Sequence, residues 1–71
     1  MTSLMEERIN GYVQWFNRKQ GYGFVVPYGQ LDAVFVRRED LEECSTLSEG
    51  QQVSFVLALG LGRFEARKVR P

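Results

Sequence analysis

Aromatic side chains are the chemistry this chain has to offer. Residues 13 to 36 contain Trp15, Phe16, Tyr22, Phe24, Tyr28 and Phe35, most of the aromatic residues of a 71-residue chain. Tyr22 and Phe24 are two apart, with Gly21 before them and Gly23 between. Residues two apart share a face of an extended strand, so both rings stand on one side and almost nothing on the other. Val34-Phe35-Val36 repeats the pattern, with its valines and Val25 taking the opposite, inward parity. Rings displayed on a sheet are costly to leave in water unless a partner covers them. Unpaired bases suit them, because stacking one base on a ring is worth about 1–3 kcal/mol and tolerates any sequence. Three or four such platforms suffice for roughly micromolar binding or better. A duplex hides its base faces, so single-stranded RNA or DNA is the expected partner.

Other chemistries lack their parts. The chain has no histidine and one cysteine, Cys44, so neither an internal disulfide nor a zinc site can be assembled. Glu39, Asp40, Glu42 and Glu43 precede Cys44 and oppose formation of a thiolate there. With no phosphate loop and no paired carboxylates at a cleft, acid–base and nucleophilic catalysis are not expected. No cofactor, metal or small-molecule substrate is implied. Formal net charge is zero, but the charges are segregated. Five of the nine acids lie between Glu39 and Glu49, leaving the rest of the chain with an excess of five positive charges. No apolar run approaches the roughly 20 residues that span a bilayer. Residues 1–10 lack a secretory pattern, so a cytoplasmic location is expected; the domain is expected to be a monomer.

A 71-residue chain is one small domain, which buries only about 60% of its unfolded surface. Residues 1–10, including Glu6-Glu7-Arg8, read as a flexible lead-in that frays, and the domain proper as 11–71. Strand character begins at Gly11 and ends near Asn17, followed by the turn residues Arg18-Lys19-Gln20-Gly21. Pro27-Tyr28-Gly29-Gln30 closes a hairpin between the second and third strands. After Val36 a charged run forms at most a helical turn, with Leu41 and Leu47 tucked under the sheet. Val53, Phe55, Leu57 and Leu59 alternate with Gln52, Ser54, Val56 and Ala58 as the inward face of a fourth strand. Gly60-Leu61-Gly62 turns the chain into a fifth strand that Pro71 ends. Five short strands with a long third connection suit an all-β, five-stranded antiparallel Greek-key barrel, the OB-fold. Phe55, Phe64 and Phe16 are each able to fill such a barrel, and Phe16 is equally able to join the ligand face.

Gly11-Tyr-Val-Gln-Trp-Phe-Asn, Lys19-Gln-Gly-Tyr-Gly-Phe-Val and Val34-Phe-Val, in this order and spacing, resemble the cold-shock domain family. The resemblance continues through Leu47-Ser-Glu-Gly-Gln-Gln-Val-Ser-Phe to Ala66 and Val69. It implies base stacking on Trp15, Tyr22, Phe24 and Phe35, with Phe16 next, and an RNA chaperone or modulator of transcription or translation. The family displays the matching tryptophan on its ligand face, whereas simple alternation pairs Trp15 with the inward Val13; a bulge or strong coiling would reconcile the two. Gln14 and Gln20 stand where the family commonly has lysine, leaving Arg18 and Lys19 as partial substitutes. Arg37-Arg38 stands where the family usually shows His-Phe, and a guanidinium stacks on bases as well as reaching phosphate. Alternatively, Arg37 and Arg38 merely neutralise Glu39 and Asp40 across a turn. The loop from Glu39 to Gly50 is shorter than is common and holds no aromatic residue. These departures sustain a second reading, a cold-shock-like barrel that docks on a protein partner through the same patch.

Overall fold

The computed structural model describes residues 7–71, in which β-branched and aromatic residues at alternate positions form five strands. These are β1 (Ile9–Asn17), β2 (Tyr22–Pro27), β3 (Val34–Arg37), β4 (Gln52–Leu59) and β5 (Phe64–Arg70), with one 3₁₀ turn at Arg38–Asp40. The strand order β1-β2-β3-β5-β4 closes into a barrel. The long β1 makes this possible by pairing with β4 through its first residues and with β2 through the remainder. Four seams are antiparallel as expected; the closing contact, Phe35 opposite Glu65 across β3 and β5, is parallel.

Inward parity fills the barrel. Val13, Val25, Val36, Val53, Phe55, Ala66 and Val69 are buried in one cluster, and Leu47 reaches it from the loop before β4. Leu41 packs against the same cluster and bridges Val69, so both loop leucines tuck in as their sequence positions suggested. The expected turn after β2 is present: the Gln30 amide donates to the Pro27 carbonyl at 3.1 Å. Gly29 has φ +81°, the positive value that the third residue of a type II turn requires. At the far end of the loop, the Arg70 Nε donates to Glu42 at 2.8 Å. This hydrogen bond holds the Glu42 carboxyl below its usual pKa and raises that of the guanidinium.

Three expectations change. The first strand starts at Ile9, not Gly11, because Ile9 and Asn10 pair with Phe55 and Ser54 to make the β1–β4 seam. Arg8 is anchored as well, donating to the Ser54 carbonyl at 3.0 Å and to the Lys68 carbonyl at 2.5 Å. The rest of the expected lead-in, residues 1–6, lies outside the described residues. In β4 the inward face stops at Phe55: Leu57 and Leu59 are exposed. They lie beyond Phe55, the last β4 residue that β1 covers, on a β4–β5 hairpin that outruns the barrel. Phe64, opposite Leu59 on that hairpin, is also exposed and does not fill the core.

Candidate functional site

A single irregularity in β1 builds the site. The β1–β2 register runs Val13 opposite Val25 and then Trp15 opposite Phe24, so Gln14 is the extra residue of a β-bulge. Val13 therefore points into the core while Trp15, two residues on, stands on the outer face beside Phe24. The bulge resolves the conflict between alternation and resemblance in favour of display. Gly23 is needed at this crossing, since a Cβ there would lie 2.2 Å from the Trp15 carbonyl oxygen.

Four half-buried rings then meet on one face. Trp15 packs edge-on against Tyr22 at 5.5 Å and Phe24 at 5.3 Å between centroids. Phe35 closes the circuit, 5.8 Å from both Tyr22 and Phe24. Contacts of this kind add about 0.5–1.5 kcal/mol each beyond area burial. They also hold the rings in place before a ligand arrives, which lowers the ordering cost of binding. Phe16 is left out of the circuit: it lies opposite Gly23 and packs against the core cluster. A separate pair, Tyr12 and Tyr28, has centroids 6.0 Å apart near the β2–β3 turn.

The polar and charged residues of the expected site differ in the contacts that hold them. Gln14, Arg18 and Lys19 are exposed beside the platform. Arg38 instead donates to the Arg18 carbonyl, and its guanidinium lies over Gly21, bracing the turn between β1 and β2. Arg37 is paired with Glu65 at 2.9 Å and not with Glu39 or Asp40. Its guanidinium carbon is 5.5 Å from the Phe35 centroid, and that of Arg63 is 3.9 Å from it. Arg63 and Glu65 were not foreseen as site residues. Nothing local marks them, because Glu65 meets Phe35 only through barrel closure between strands about thirty positions apart. Cys44 lies off this face; burial, and then the neighbouring Glu43, push its thiol pKa up. Among the described residues, no helix is long and apolar enough to cross a membrane.

The sequence profile described as the 'Cold-shock' DNA-binding domain matches residues 9–71. This chain belongs to the cold-shock domain family. Relatives include the cold shock protein CapA of Pseudomonas fragi, 43% identical over 58 residues that cover 79% of this chain and 91% of that protein. The major cold shock protein CspA of Pseudomonas aeruginosa is 38% identical over 68 residues, covering 93% of this chain and 97% of that protein. A solved structure described as drosophila Unr CSD456 superimposes with a TM-score of 0.74 at 17% identity. It covers 92% of this chain and 26% of that one, and supports the fold of this cold-shock domain. The family start at residue 9 coincides with the observed start of β1. Nucleic-acid binding is the function that membership of this family implies.

Proposed function

We propose that this cold-shock domain binds single-stranded RNA or DNA by stacking bases on Trp15, Tyr22, Phe24 and Phe35. The observation that carries the reading is the closed circuit of four half-buried rings on one face. Each ring lacks full cover from the protein, and bases supply flat apolar cover at about 1–3 kcal/mol apiece. Phe16, half-buried against the core, plays a supporting part beneath the platform. Arg18, Lys19, Gln14 and Arg37 line the strand's path, and Arg38 holds the Gly21 turn in place. A domain that prefers splayed bases traps transiently open RNA, which gives the activity of an RNA chaperone or a modulator of transcription and translation.

Trp15 is the one tryptophan, so its fluorescence reports on the platform itself. Titration with a short pyrimidine single strand, its RNA counterpart and a duplex is expected to show saturable quenching by the single strands alone. The log of affinity should fall with the log of salt by about 0.7 per phosphate contact. Absence of quenching in the folded protein would reject the reading. It would favour instead the barrel that docks on a protein partner through the same aromatic patch.

A further inference from the structure

Arg63 covers part of the platform. Its guanidinium carbon is 3.9 Å from the Phe35 centroid, too close for anything to lie between them. The side chain is nevertheless 54% exposed, so the guanidinium meets the ring on one side and solvent on the other. Glu65 lies within ion-pair reach of it, 4.0 Å from its Nε. The Glu65 side chain is only 4% exposed and faces three guanidinium groups: Arg37 at 2.9 Å, Arg67 at 3.6 Å and Arg63 at 4.0 Å. Gly60 completes the seat, because a Cβ there would lie 2.4 Å from a Glu65 carboxylate oxygen. Burying a carboxylate this deeply is costly unless it is paired, and the three guanidinium groups supply the pairing. Arg63, the most distant of the three, reaches from there over Phe35.

A base arriving at this end of the platform therefore meets a guanidinium before it meets a ring. A guanidinium is planar, weakly hydrated and stacks readily on π systems, properties that an ammonium lacks. We propose that at the Phe35 end an unpaired base stacks through Arg63, giving the order Phe35, Arg63, base, so that Phe35 serves its base as the support beneath the guanidinium, with Glu65 as the positioning residue. This rests on the single-strand reading above. Three guanidinium groups around one carboxylate leave positive charge over, which attracts the phosphate next to that base. The chain thus replaces a purely aromatic end of the platform with an aromatic–cation pair.

The discriminating variant is Arg63→Lys, which keeps the charge and removes the flat face. Calorimetric titration with a short pyrimidine single strand, at low and high salt, compares it with Arg63→Gln, Glu65→Gln and the parent. Arg63→Lys is expected to bind roughly 5- to 100-fold more weakly than the parent, the worth of about one stacked base, with the parent's salt dependence. Affinity within about twofold of the parent would overturn the proposal, since charge alone would then suffice. Tighter binding by Arg63→Gln would also overturn it, because Arg63 would then be a lid over Phe35. Glu65→Gln is expected to bind more weakly at high salt, where its added net positive charge is screened and the loss of Arg63's anchor remains. Equal affinity there would remove the positioning role. Urea unfolding of each variant separates these effects from loss of fold. If the parent itself fails to bind, the functional reading falls first and the role of Arg63 falls with it.

Discussion

Replacing Phe55 with alanine is expected to leave the domain largely unfolded. Phe55 is fully buried at the centre of the core cluster, on the stretch of β4 that pairs with the start of β1. Removing a ring from such a site costs about 3–5 kcal/mol, combining lost transfer energy with the cavity left behind. A single core in a chain this short rarely supplies more than about 3–5 kcal/mol, so the substitution uses up the whole margin. Its neighbours Val13, Val36 and Val69 belong to strands already paired on both sides and cannot move far to refill the space. Far-ultraviolet circular dichroism and urea unfolding should show loss of the cooperative transition. Phe55→Leu, which retains most of the apolar volume, should keep a transition at a lower midpoint. A Phe55→Ala protein with a midpoint close to the parent's would show that the core does not depend on this ring.

Phe24→Ala and Phe35→Ala are expected to do the opposite, sparing the fold and impairing binding. Both rings are half-buried on the outer face, and neither belongs to the buried cluster. Each substitution should weaken single-strand binding by about 1–3 kcal/mol, the worth of one stacking platform. The two effects should not simply add, because the rings touch at 5.8 Å and Phe35 also supports Arg63. Phe24 packs on Trp15, so its loss changes the fluorescence signal, and calorimetry is the appropriate readout. Unchanged affinity in both variants would defeat the stacking platform, and unfolding of both would reassign the rings to structural packing.

Much of this follows from parity, which is a local property. Tyr22 and Phe24 outward with Val25 inward, Phe35 outward between Val34 and Val36, and the Pro27–Gln30 turn were all readable from neighbours in the chain. The buried places of Val53 and Phe55 followed in the same way. Leu57 and Leu59 share that parity and are nevertheless exposed, because burial also needs a covering neighbour and β1, which begins at Ile9, reaches no further along β4 than Phe55. Alternation predicts which way a side chain points, and only the lengths of neighbouring strands decide whether anything meets it.

The site divides along the same line. The aromatic residues, their spacing and the family they resemble were legible from residue types alone, and they sufficed to suggest bases as the ligand. The outward orientation of Trp15 came from the resemblance alone and ran against alternation, since a bulge exists only in the pairing of β1 with β2 and leaves no mark in β1 itself. Arg37 was visible as a cation whose alternative role was to neutralise the adjacent acids; closure of β3 on β5 sets it beside Glu65 instead, a partner no local pattern names. Residue types and parity specify a barrel with an aromatic outer face. Pairing across the barrel turns Trp15 onto that face and brings Arg63 over Phe35 beside a buried carboxylate, because register and closure are relations between distant strands that no local pattern contains.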